Sequence, residues 1–179
     1  MYMKPFVISD LHLGHANILL LEPKRSLYSS SVEVMNQMLI KNWNACVKEG
    51  DVTYHLGDFA FGKGSRFHIP YWVANLNGFK VWIRGNHYDP RPNMNAAILR
   101  RGGFTFVLIH DPKKWEWPLS KDQWIIHGHY HSKSPLVDWE RKWINVSVEN
   151  IHYKPMQLDE IVELIRRGKE LIRGGVISE

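Results

Sequence analysis

The chain has one cysteine, Cys46, in 179 residues, so it can form no internal disulfide. That scarcity fits a reducing compartment, and a cytoplasmic location is the expectation. No apolar run approaches the ~18 residues that a membrane-crossing helix needs. The opening, Met1-Tyr2-Met3-Lys4-Pro5, has no leader-like apolar stretch and passes straight into a strand pattern. No Pro-, Gly- or Ser-rich linker breaks the chain, so one domain is expected over residues 1–179. No serine or cysteine sits in an arrangement that would make it a nucleophile. Nor does one sign of charge dominate: 23 Lys and Arg against 18 Asp and Glu leave a net +5. The basic residues are dispersed, so a solvated surface is the simpler reading, although the sign suits an anionic partner.

With 44% hydrophobic and 23% charged residues, the composition is that of an ordinary globular protein with a full core. Its eight tryptophans are expected in the core or lining a cleft. Cys46 falls on the apolar face of a helix pattern, which suggests an inert core thiol.

Phe6-Val7-Ile8 reads as a buried strand feeding the loop Ser9 to His15. Residues 22–30, with Pro23, read as loop. Ser30 with Glu33 makes a capping box for a helix carrying Met35, Met38, Leu39, Trp43, Cys46 and Val47, stopped at Gly50. A strand over 51–56 follows, then a helix over 69–76 ended by Gly78. A third strand spans 79–83. Residues 92–101 read as a helix closed by Gly102, ahead of a strand over 104–109. Residues 111–123 form a loop with Trp115 and Trp117. Strands over 124–126 and 143–148 precede an amphipathic closing helix at about 157–173. Strands alternate with helices and then cluster, which is α/β with two sheets packed together.

The strand ends carry the chemistry. Five expected strands run into Asp10 and His12, Asp58, Asn86 and His87, His110, and His129 and His131. Function in α/β proteins gathers beyond the carboxyl ends of strands. In extended backbone residues i and i+2 share a side, so His129 and His131 can both meet a metal. Each motif alone is weak; the same placement repeated five times is not. The mixed nitrogen and oxygen donors, without thiolate, suit manganese, iron, zinc or a similar ion better than calcium.

Asp10-x-His12, Gly57-Asp58, Gly85-Asn86-His87, His110 and Gly128-His129-x-His131 together resemble the calcineurin-like metallophosphoesterases. The likeness covers residues 6 to about 148. Within that superfamily the stretches from Phe6 and from Tyr54 look like a small bacterial and phage subgroup. The resemblance implies two packed mixed β-sheets flanked by helices, an αββα sandwich holding two divalent metal ions. Manganese is the first expectation, with iron, zinc, nickel or magnesium as alternatives. It implies that Asp10, His12 and His131 hold one ion, that Asn86, His110 and His129 hold the other, and that Asp58 bridges, one carboxylate oxygen to each. A metal-bridging hydroxide would then hydrolyse a phosphate mono- or diester, with a small nucleotide-like ester as substrate.

The resemblance also makes His87 a catalytic acid or charge stabiliser over the phosphate. The family usually has an acid directly after this histidine. Here Tyr88 follows, leaving Asp89 or Asp111 to orient it. His15 could touch substrate. His127 reads as core or as a support for the ligands, and Arg84 as either a phosphate contact or a sheet-edge residue. Trp115, Trp117 and Trp139 could stack on a base or form a lid. The competing reading is a nucleic-acid-binding module, or a nuclease, whose metals are structural or vestigial; it predicts salt-dependent binding to oligonucleotides. No membrane partner is expected.

Overall fold

A computed structural model describes residues 3–27, 29 and 31–173. In chain order its elements are β1 (Pro5–Ile8), the one-turn helices α1 (Ile18–Leu21) and α2 (Pro23–Ser26), α3 (Val32–Cys46), β2 (Val52–Leu56), α4 (Ser65–Ala74), β3 (Phe79–Ile83), β4 (Ala96–Arg101), β5 (Phe104–Ile109), β6 (Gln123–His127), β7 (Val137–Asp138), β8 (Trp143–Asn145), β9 (Met156–Gln157) and α5 (Leu158–Arg173).

The apolar runs β1, β2 and β3 pair in parallel, as strands buried on both faces do, and β9 closes that sheet antiparallel to β1. The second sheet runs β4-β5-β6-β8-β7, with β5, β6 and β8 parallel and the two edges antiparallel. Both sheets are therefore mixed. They meet where the parallel strands end: Ser9 N donates to Val146 O at 3.0 Å, and Val148 N donates to Ser9 O at 3.2 Å. That stitch brings the loops after β1, β6 and β8 to one rim. Phe6, Ile8, Leu56, Phe106, Trp124, Ile126 and Ile144 fill one core cluster with Trp43 of α3. α5 buries Leu158, Ile161, Val162 and Ile165 against it, each worth roughly 1.5–3 kcal/mol of transfer from water. No helix among the described residues is long and apolar enough to cross a membrane.

Several expected elements differ. Residues 96–101 form β4, not a helix: Ala, Leu and Arg favour helix locally, but the two-residue Gly102–Gly103 turn folds the segment back on β5 from Ala96↔Ile109 to Arg101↔Phe104. Both glycines have positive φ, the requirement of a tight hairpin turn. Arg101 then grips Asp159 of α5 through two hydrogen bonds, at 2.6 and 2.8 Å. Residues 22–30 are not simply loop, because Pro23 starts α2 with its φ already helical. α3 is capped by Ser31, whose hydroxyl accepts from Val34 N at 3.2 Å, and it ends at Cys46 rather than Gly50. Ser30, the expected cap, lies outside the described residues. α4 begins at Ser65, ahead of the apolar pattern, and β8 stops at Asn145, beyond which the chain curls into a 3₁₀ turn over Val148–Asn150.

Candidate metal centre

The strand-end loops bend sharply to aim their side chains. Of the eight non-glycine residues with positive φ among those described, five are Asp10, His12, Asp58, His129 and His131, at φ 60, 49, 58, 72 and 50°. Left-handed backbone is unfavourable for side-chain-bearing residues and clusters where structure is held for function. Two glycines make room for it. A Cβ on Gly85 would strike Asp58 Oδ1 and Asp58 N, and one on Gly128 would strike Ser9 Oγ and Asp10 Oδ2.

Asp58 lies at the middle. Its Oδ2 is 3.6 Å from His12 Nε2, 3.4 Å from His110 Nε2 and 3.8 Å from His87 Nε2. Its Oδ1 accepts from Asn86 N at 2.6 Å and His87 N at 2.9 Å. Oδ2 therefore faces the imidazoles while Oδ1 faces the backbone N–H groups of Asn86 and His87. Asp10 divides its oxygens in the same way. Oδ2 accepts from His129 N and Ser147 Oγ, each at 3.0 Å, while Oδ1 stands 3.7 Å from both His12 Nε2 and His131 Nε2. Asn86 lies beside His129, amide nitrogen to Nδ1 at 3.0 Å, and the His129 ring is 5.1 Å from that of His110. The seven expected ligands and His87 thus share one rim.

These atoms suit metal ions. Buried polar atoms nearly always find hydrogen-bond partners. Asp10 Oδ1, His12 Nε2 and His110 Nε2 have none, although they face one another. Donor atoms of Asp10, His12 and His131 lie within 4.8 Å of each other, as do those of Asp10, Asp58 and His110, and those of His12, Asp58 and His87. Ligand bonds of about 2.1 Å would place neighbouring donors about 3.0–3.5 Å apart, so a small closure suffices. The histidines are fixed from behind. His110 Nδ1 donates to Leu56 O at 2.8 Å, leaving Nε2 to point inward, and His131 Nδ1 meets Glu149 Oε1 at 3.2 Å.

The charge pattern follows. Burial works against the charge on Asp58, yet His110 and its neighbours hold its carboxyl down at about 2. Burial also opposes the charge on His110, but Asp58 and Asp10 override it and hold the imidazole up at about 9. Burial pushes His12 down.

Arg25 and Glu149 were not anticipated. Arg25 is 1% exposed on α2. Its Nε donates to Glu149 Oε1 at 2.6 Å, Nη1 to Leu11 O at 2.9 Å and Nη2 to Asp10 O at 2.6 Å. One guanidinium thus ties the first ligand loop to the carboxylate behind His131. Ser147 is a further support, its hydroxyl on Asp10 Oδ2; it lies inside the strand expected over 143–148, so nothing in the sequence marks it.

Asp89 does not orient His87. Its oxygens accept from Phe59 N at 3.0 Å and Gly85 N at 2.7 Å, bracing the loops that carry Asp58 and Asn86. Asp111 caps a 3₁₀ turn through Lys113 N. The His87 ring, 34% exposed, rests instead on Phe61 at 4.0 Å. His15 is buried and packs edge-on against the same Phe61 at 4.7 Å. His127 stays in the strand, its Nδ1 donating to Gly128 O at 2.7 Å. Arg84 lines a cleft beside His87, and Trp117 lies exposed against Trp115 at 4.8 Å.

No family model matches the chain. It is 42% identical over 170 residues to the uncharacterized protein MJ1445 of Methanocaldococcus jannaschii, covering 93% of each. Among solved structures it is similar to the protein of unknown function AQ665 from Aquifex aeolicus, at 24% identity and TM-score 0.70, over 91% of this chain and 100% of that one. A looser likeness, at 15% identity and TM-score 0.42 over 81% of this chain and 78% of the other, is to Yfce, a phosphoesterase from E. coli. By sequence the chain belongs to one family with MJ1445, and it shares the two-sheet fold of AQ665.

Proposed function

We propose that the chain is a binuclear metal-dependent phosphoesterase acting on small, nucleotide-like phosphate mono- or diesters. The observation that carries this reading is Asp58 Oδ2, set 3.4–3.8 Å from three imidazole nitrogens with its partner oxygen already occupied by backbone N–H groups. Asp10, His12 and His131 would hold one divalent ion, Asn86, His110 and His129 a second, with Asp58 shared. Manganese is the first candidate, then iron, zinc, nickel or magnesium. Bound there, such ions lower the pKa of a coordinated water and offset charge on phosphoryl oxygens.

The remaining work belongs to the chain. His87 Nε2 sits on the open side of Asp58 and is placed to give a proton to the leaving oxygen or to offset charge on the phosphate. Phe61 limits the swing of its ring. Arg25 and Glu149 keep the loops of Asp10 and His131 in register. The single cysteine accords with work in the cytoplasm.

The test is a panel of phosphomonoesters and diesters with metal-stripped protein and added manganese, nickel, iron, zinc or magnesium. Turnover that needs the ion, and that is lost in Asp58→Asn and His129→Ala with the fold intact, is expected. Trp117, 63% exposed and paired with Trp115, favours nucleic-acid binding as the second reading. Salt-dependent oligonucleotide binding with no turnover under any metal would select it.

A further inference from the structure

A cleft of about 420 Å³ lies next to the metal centre and shares Asn86 and His87 with it. Three arginines from separate segments line it: Arg66 in the first turn of α4, Arg84 just after β3, and Arg91 in the following loop. The ion-paired arginines among the described residues are Arg25, Arg101, Arg141 and Arg166, and none of the three cleft arginines is one of them. Asp89, the acid on the cleft wall, directs its oxygens at the backbone of Phe59 and Gly85 instead. Arg84 is steadied by Asn93, Nε to Oδ1 at 3.3 Å, and Arg66 lies over the Phe67 ring at 4.7 Å.

Three like charges gathered in a concave site repel one another, and an anion relieves that repulsion. Guanidinium forks match the paired oxygens of phosphate. A cleft of this volume takes a phosphate and a sugar-sized group but not a duplex, and Tyr88 and Ile69 supply an apolar wall.

We propose that the Arg66–Arg84–Arg91 cleft holds a second phosphate of the substrate, making the preferred substrate a small bisphosphate. This rests on the reading of the neighbouring centre as a phosphoesterase. The reaction is simple hydrolysis. Water adds to the phosphorus at the metal centre, the ester P–O bond breaks, the leaving oxygen takes a proton, and the phosphate in the cleft stays attached.

The test compares adenosine 3′,5′-bisphosphate with adenosine 3′- and 5′-monophosphate on metal-loaded protein. The expected result is a kcat/KM at least tenfold higher for the bisphosphate, carried mainly in KM and shrinking as salt rises. In the variant Arg84→Gln/Arg91→Gln that ratio should fall about tenfold. Arg84→Lys/Arg91→Lys, which keeps charge but loses the fork, should recover part of it. The same bisphosphate is titrated calorimetrically into metal-stripped wild-type and variant proteins, with thermal melts confirming that both fold. Monophosphate turnover without bisphosphate preference, or a preference untouched by the variants, overturns the cleft and leaves the phosphoesterase standing. Arginine-dependent binding without any turnover keeps the anion site but ends its role as a substrate pocket. Neither binding nor turnover ends both.

Discussion

At the scale of single residues, the centre depends on close approaches that no other side chain permits. Gly128 is the sharpest case, since a Cβ there would collide with Ser9 Oγ and Asp10 Oδ2. Gly128→Ala must therefore push the Asp10 carboxylate out of line. We expect a loss of about 1–3 kcal/mol in urea unfolding, the usual cost of overpacking, together with at least a tenfold loss of manganese affinity by calorimetry. Wild-type affinity in this variant would mean that Asp10 is not a ligand. His87 poses a separate question, because its Nε2 lies at a donor-like 3.8 Å from Asp58 Oδ2 yet on the open side. If it acts on the leaving group, His87→Gln keeps the metal stoichiometry and lowers kcat by about 10²–10⁴. A fall in bound metal would make it a ligand instead.

At the scale of elements, what the sequence revealed divides by range. Asp10, Asp58, Asn86, His110 and the His129–His131 pair were legible because each signal is local: an apolar strand, a turn, then a donor. β4 departs from its local signal: Ala96 to Arg101 carry helix-forming side chains, and pairing with β5 overrides that propensity. Arg25 and Glu149 were invisible for another reason. They stand 124 positions apart in the chain and leave no local trace of their contact. Their pairing makes the one-turn α2 matter more than its length suggests. Arg25→Met leaves Glu149 buried without its guanidinium, and breaking such a pair costs about 3–5 kcal/mol. Chemical denaturation should show that loss. Arg25→Met/Glu149→Met should recover a large part of it, because an apolar pair strands no charge. A double variant as unstable as the single one would locate the cost in the lost Leu11 and Asp10 carbonyl contacts.

At the scale of the molecule, metal binding, protonation and stability are linked. In the metal-free protein His110 titrates at about 9, so at pH 7 it carries a proton against the ionised Asp58. Metal ligation requires neutral imidazole. Loading the centre at pH 7 should thus release about one proton from His110, and more from His131, whose pKa Glu149 and Asp10 raise against the opposing effect of burial. Apparent affinity should climb with pH by up to about tenfold per unit for each proton displaced, and level off near 9. The sign for stability follows from the raised pKa. The contribution of His110 to the metal-free fold is present in full below its ordinary 6.5 and is lost as pH rises through about 9. A metal ion that binds only the folded chain would stabilise it by about 2.7 kcal/mol at a hundredfold excess over Kd. Across that window the metal-free protein weakens while metal binds more tightly, so the gain in Tm on adding manganese should be larger at pH 8 than at pH 6. Calorimetric titration in two buffers of different ionisation heat counts the protons, and thermal melts with and without metal at both pH values measure the gain. Titration heats independent of the buffer would mean that metal displaces no proton from His110, and would remove it from the ligand set.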